Sequence, residues 1–265
     1  MVLGSFEFSV VFLSKRLNNS IVRETVLNYL TNYEPFRTFD IYHTISLVIF
    51  LGLATLLPLY AKRNFSEKWQ QWVGSTLGWL VAASYLSWPT LEIIAGTFDP
   101  KLHLPFHLCR FANLALPLVM WKRNYLVYEV LYFWGLSAMF QSIFTPDIPQ
   151  AFPHYHFFRF WISHELMIVA LVYATVIYKI RPTLKSLRRS FVALLLFFII
   201  TIPVNLILDA NYFWICGKPL MPTILDYMGP WPWYLVTGTA VALIHFYAVY
   251  LPFVIIDWRK KNRIG

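Results

Sequence analysis

Apolar residues gather into seven long stretches, at about residues 42–60, 72–94, 105–121, 126–144, 157–178, 191–208 and 233–256. Each comes near the roughly 20 mostly apolar residues that a helix needs to cross a bilayer. The pattern predicts an all-α, polytopic membrane protein with seven transmembrane helices. The third stretch is short and carries Pro117, so it is expected to be tilted, kinked or sunk among its neighbours. With no internal repeat or low-complexity linker, the chain divides simply. Residues 1–38 form an interfacial lead-in, residues 39–258 one seven-helix domain, and residues 259–265 a basic tail.

Composition supports a bilayer setting, because 58% of residues are apolar and only 13% charged, against about 25% charged in soluble domains. Glu7, Lys15 and Arg16 leave only residues 8–13 as an apolar stretch near the N-terminus, too little for a signal peptide. The net charge of +9 would point to nucleic acid in a soluble protein, but here the basic residues sort by connection. Lys62, Arg63 and Lys68, then Lys122 and Arg123, then Lys179, Arg181, Lys185, Arg188 and Arg189, then Arg259, Lys260, Lys261 and Arg263 fall on alternate connections. By the positive-inside rule these are cytoplasmic. Seven spans then put the N-terminus outside and the C-terminus inside, with no nucleic-acid partner.

The most chemically loaded segment is Leu104-Pro105-Phe106-His107-Leu108-Cys109-Arg110. Proline suits a first helical turn, so a helix is expected to start near Pro105, leaving Cys109 beside free backbone N–H groups, the positive helix end and Arg110. Those surroundings favour a nucleophilic thiolate; the plainer alternative is a small buried hydrophobe. Counting 1.5 Å per residue, Cys109 lies about 6 Å and His164 about 10 Å below the outer boundary, close enough to meet. Glu92, Gln141, Asn205 and Asp209 fall near the same level, whereas the middles of most spans are bare except for His245. Polar side chains inside spans are costly, so a shallow cluster points to a pocket for a polar head group whose tails stay in the membrane.

His43, at the mouth of the first span, is expected to line such a pocket, and His245 to be structural. Glu92 either orients an imidazole or pairs with Arg159 or Arg110. Trp231, Trp233 and Tyr234 read as an aromatic belt. His103, His107, His154 and His156 all fall on the outer side, but their spacing supplies an incomplete ligand set. No metal or cofactor is expected. Cys109 and Cys216 define no disulfide framework; a bond between them is disfavoured because a loop does not easily reach a thiol inside a span.

Several motifs in one order carry a resemblance: Leu104-Pro105-Phe106-His107-Leu108-Cys109, Tyr132-Phe133-Trp134-Gly135, Thr145-Pro146-Asp147, Phe157-Phe158-Arg159-Phe160-Trp161-Ile162-Ser163-His164, Asn211-Tyr212, Lys218-Pro219 and Gly229-Pro230-Trp231-Pro232-Trp233-Tyr234. From about Phe36 to Phe253 the chain resembles the YwaF-type integral membrane family. That family is similar to animal transmembrane acyltransferases of ether phospholipids, and more distantly to the androgen-induced-gene lipid hydrolases. The resemblance implies Cys109 as nucleophile and His164 as its base, passing an acyl chain from a phospholipid through a thioester to a lysophospholipid or a lipoprotein amine at the outer leaflet. His107, Arg110, Glu92 and Asn205 are then expected to stabilise the oxyanion or orient the base. His43, Gln141, Arg159, Asn211, Trp231 and Tyr234 are expected to bind substrate. A lipid esterase using the same pair is the alternative enzyme, and a lipid transporter or scaffold the non-enzymatic one. Transporters place coupling residues near the midplane, which this pattern does not.

Overall fold

The computed structural model describes residues 20–219 and 222–263. Residues 1–19 of the lead-in and 264–265 of the basic tail lie outside the described residues. Seven helical segments follow the seven apolar stretches: α1 Ile41–Asn64, α2 Glu67–Ala95, α3 Leu108–Met120, α4 Tyr125–Trp134 continued by a π-turn Gly135–Met139 and Phe140–Phe144, α5 Tyr155–Ile177, α6 Leu184–Leu208 and α7 Trp233–Lys261. Four of them, α1, α5, α6 and α7, are long and apolar enough to cross a membrane. The expectation of seven crossings thus narrows to four on length and composition. At 13 residues α3 reaches about 20 Å, short of a core of about 30 Å. Glutamines, serines and threonines dilute α2, and a π-turn interrupts α4.

Local chemistry sets the ends. Asp40 caps α1 by accepting from the His43 N–H at 2.7 Å. Ser66 caps α2, and only two residues separate it from α1, so the two helices run antiparallel. Gly96 ends α2 in the left-handed conformation, φ 71°, where its N–H reaches back to the carbonyls of Glu92 and Ile93. Thr183 and Ser186 form a capping box that starts α6 seven residues before its uninterrupted apolar run. The helices therefore outrun the apolar stretches at their basic ends, because a helical backbone carries exposed Lys and Arg as readily as Leu.

The fifth helix is the centre of the bundle. Its apolar window is 72% buried, against 6% for α7 and 22% for α6, and it packs on α1, α2, α3 and α4. Gly135 lets α4 approach it closely, since a Cβ there would meet Leu171 Cδ1 at 2.5 Å. By contrast α7 touches the others sparsely and α6 packs mainly on α4; the two present Leu206, Ile207, Val236 and Ile244 outward, as a lipid-facing surface would. Buried polar contacts fix α6 to α4 at the basic end, where Ser190 Oγ donates to the Glu129 carbonyl at 2.8 Å and Trp134 Nε1 to the Ser190 carbonyl at 3.2 Å. The Glu129 carboxylate there accepts from Ser186 Oγ at 2.5 Å and Arg189 Nη1 at 3.0 Å.

At the other end the lead-in straps the bundle. Residues 20–31 are helical; Arg23 Nε donates to the Ala95 carbonyl at 2.8 Å. Backbone pairing of Phe36 N–H with Pro149 O and of Ala151 N–H with Glu34 O, both 2.8 Å, ties the strap to the α4–α5 loop.

Candidate functional site

Between α6 and α7 on one side and α3, the π-turn and α5 on the other lies a cavity of about 840 Å³. Cys109 and Arg110 reach it from α3, Ser137 from the π-turn, and Arg159 and His164 from α5. Tyr234, His245 and Phe246 close it from α7. Much of the apolar wall comes from α6 and α7, and α7 adds the polar side chains of Tyr234, Thr239 and His245.

Cys109 is the second residue of α3, which begins three residues later than Pro105. Its N-cap, His107, makes no side-chain cap bond, and the Cys109 sulfur lies against the first-turn backbone N–H groups of Cys109 and Arg110. An extended segment leads in, held by Tyr212, whose hydroxyl accepts from the Leu104 N–H at 2.9 Å and donates to the Pro100 carbonyl at 2.5 Å. Both cysteines are free, Cys109 half-buried and Cys216 exposed.

His164 is buried one turn beyond Phe160 on α5. Its Nδ1 lies 2.9 Å from the Phe160 carbonyl. A carbonyl only accepts, so Nδ1 carries the proton and Nε2 the lone pair. Ser163 Oγ, also 2.9 Å from Nδ1, steadies the same ring edge. Asn113 joins the two helices at this level. With the amide set so that its nitrogen donates, it bridges the Cys109 carbonyl at 3.2 Å and the Ser163 carbonyl at 3.0 Å. One side chain thus ties the backbone of the thiol residue to that of the residue before the imidazole.

Of the other residues singled out from sequence, His107, Arg110, Gln141, Arg159 and Tyr234 line the cavity. His107 also presses on the Tyr212 and Trp214 rings, and its buried Nδ1 has no partner among the described residues. Five residues do not line it, and in each the polar atoms are engaged elsewhere. His43 accepts from the Phe39 N–H and donates to the Ile143 carbonyl, both at 2.9 Å. Glu92 accepts from Trp88 Nε1 at 3.0 Å and Thr97 Oγ1 at 2.6 Å. Asn205 clamps the Tyr212 backbone through both amide atoms. Asn211 folds the loop onto Cys216 and Gly217, and Trp231 donates to the Ile215 carbonyl.

His103, His154 and His156 are likewise occupied. His103 Nδ1 accepts from the Asp99 N–H at 2.8 Å, while burial, against the pull of Glu92, holds its imidazole below its ordinary pKa. His154 Nε2 bonds the Tyr29 carbonyl, and His156 Nδ1 accepts from Arg159 Nε at 3.1 Å. No cluster of three His, Cys, Asp or Glu fit to hold a metal occurs among the described residues. Sequence reasoning missed Asn113, Tyr85 and Ser137, and it set His245 aside as structural although it faces the cavity. Only the π-turn carries an outward sign, the Gly135-to-Ser137 step inside an aromatic run.

Comparison with known proteins gives the lineage. The TMEM164 family model matches residues 37–250. The chain belongs to the TMEM164 family. Every residue lining the cavity falls inside the stretch that matches this family. A protein of Treponema pallidum (strain Nichols), described as "Uncharacterized protein", is 27% identical over 150 residues, which is 57% of this chain. That match spans 62% of the relative's length. No solved structure matches this TMEM164-family chain at a significant level.

Proposed function

We propose that this membrane protein is an acyltransferase that takes a fatty acyl chain from a phospholipid onto Cys109 and passes it to a lysophospholipid or an amine. The observation carrying the proposal is the shared cavity, lined by Cys109 of α3 and by His164 of α5, whose proton sits on Nδ1 and leaves Nε2 with its lone pair. Nε2 of His164 takes the thiol proton as sulfur attacks the ester carbonyl. The tetrahedral oxyanion is met by the first-turn N–H groups of α3, with the unpartnered His107 imidazole beside them. The carbon–oxygen bond of the ester breaks, His164 returns the proton to the departing lysolipid, and the acyl group remains as a thioester. The acceptor then loses its proton to His164, attacks the thioester, and releases Cys109 as the thiol.

The same reading takes all seven helical segments as crossing, α3 sunk among its neighbours, with the cavity opening to the outer leaflet. An apolar wall of Phe191, Leu194, Leu195 and Phe198 restricts water, which favours transfer over hydrolysis.

Mass spectrometry of the purified protein supplied with phospholipid is expected to find a hydroxylamine-labile acyl adduct on Cys109. Cys109→Ala removes the adduct and the activity, and His164→Ala lowers the rate by about 10²–10⁴-fold. Full acyl transfer by the Cys109→Ala protein overturns the proposal.

A further inference from the structure

Two guanidinium groups stand at the cavity wall beside the thiol. Arg110 Cζ lies 4.5 Å and Arg159 Cζ 4.3 Å from the ring centroid of one indole, Trp88 of α2. The two cations are therefore no further apart than those distances laid end to end, about 9 Å. Both are half-buried, and among the described residues neither has a carboxylate within 4.0 Å, although other cations do, as in Arg181–Asp257 and Lys101–Asp209. Cations drawn together out of bulk water without a directly paired counter-charge are costly unless an anion completes the arrangement. The nearby carboxylates, Asp147 of the lining beside Arg110 and Glu92 beside Arg159, act on them only from beyond ion-pair distance.

Their remaining donors face a definite task. Arg110 spends Nη1 on the Leu102 and Leu104 carbonyls, and Arg159 spends Nε on His156. Both terminal nitrogens of Arg159 and Nη2 of Arg110 have no hydrogen-bond partner among the described residues. A phosphate oxygen hydrogen-bonds guanidinium N–H at about 2.8 Å, which sets phosphorus about 4 Å from each guanidinium carbon. One phosphate bridging two guanidiniums thus holds their carbons no more than about 8 Å apart, a separation that falls within the limit set by Trp88. A flat fork stacked on an aromatic face keeps its N–H edge free for such a partner, as a lysine would not.

We infer that Arg110 and Arg159, seated on Trp88, form the subsite for the phosphodiester of a lipid headgroup and make this cavity select phospholipids over neutral glycerolipids. The inference rests on the acyl-lipid reading of the cavity for its location, but its test needs no chemistry at Cys109.

The test compares binding of two ether lipids of equal chain length, a 1-O-alkyl lysophospholipid and a 1-O-alkylglycerol, to the full-length protein in detergent. Neither carries an ester, so a protein without acyl-transfer activity still reports on this subsite, and loss of the subsite is distinguishable from failure of the thiol chemistry. Wild type is expected to hold the lysophospholipid about tenfold more tightly or better. Arg159→Gln is expected to bring the ratio towards one. Arg159→Lys, which keeps the charge but loses the fork, is expected to fall between and guards against a Gln variant that does not fold. Equal affinity for the two lipids in wild type overturns the inference. So does a ratio unchanged in the folded Gln and Lys variants. If inorganic phosphate binds as tightly as the lysophospholipid and displaces it, the ligand is a free anion and the headgroup assignment falls.

Discussion

At the scale of single residues, what separates the cavity from the rest of the polar set is where each side chain spends its hydrogen bonds. Cys109 and His164 line the cavity, His164 with Nε2 uncommitted, whereas His43, Glu92, Asn205 and Asn211 close onto nearby backbone or side chains. Depth along a helix is one coordinate, and counting residues from a loop gives it well; the direction around the helix axis depends on what packs alongside. That is why the level shared by Cys109 and His164 was legible in the sequence while the bridge made by Asn113 was not. His103 carries a residue-scale prediction. Burial lowers its folded pKa below the ordinary 6.5, with Glu92 and Asp99 opposing and Arg110 reinforcing. The unfolded chain then binds a proton that the folded chain refuses. Stability is fully present above about pH 6.5 and is lost as pH falls towards the lowered value. Thermal unfolding in detergent between pH 7.5 and 5 is expected to show wild type losing stability on acidification, with a shallower slope in His103→Gln. A steeper slope in the variant contradicts the sign.

At the scale of elements, the start of α3 is positioned by a loop that is distant in sequence. Asn205, near the end of α6, holds the Tyr212 backbone at 2.9 and 2.7 Å, and Tyr212 in turn fixes Pro100 and Leu104 ahead of the helix. Asn205 therefore reaches the thiol through three links without touching the cavity. Its partners lie across a loop whose path apolar periodicity does not encode. Replacing it by Ala leaves a buried N–H and carbonyl unpaired, a cost on the order of 2–4 kcal/mol. Tyr212→Phe removes only the two hydroxyl bonds, at about 1 kcal/mol each. Both variants are expected to melt earlier in detergent, Asn205→Ala more so. Well below melting, Tyr212→Phe is expected to form the Cys109 acyl adduct about tenfold more slowly, as a misplacement near 1 Å would cause. Unchanged adduct kinetics in Tyr212→Phe would show that the helix start holds its place without this anchor.

At the scale of the whole molecule, the helix map was legible because apolar run length is a strong signal. Its limits lay where charge or a π-turn breaks the run: α6 begins at Leu184 rather than 191, and α7 continues to Lys261. Crossing number is a different property, since α2, α3 and α4 fall short in length or apolarity and must borrow cover from neighbours. Their crossing follows if the basic connections and the cavity-end loops lie on opposite sides. The two ends differ chemically in the way that orientation requires. Lys185 is exposed beside the cluster of Lys179, Arg181, Arg188 and Arg189, while Pro149 and the free thiol of Cys216 are exposed on loops at the cavity end. A membrane-impermeant maleimide applied to intact cells is expected to label native Cys216, and Pro149→Cys in a Cys216→Ser background, within minutes. Lys185→Cys in that background is expected to stay unlabelled until the membrane is opened, because an odd number of crossings separates it from residue 149 and the basic cluster holds it inside. Labelling of Lys185→Cys alone in intact cells would place the cavity in the cytoplasmic leaflet, and its lipids would then be drawn from that side. Labelling at both ends without opening the membrane would mean that α5, which alone joins the two positions, does not cross, contrary to the length and apolarity of its 23 residues.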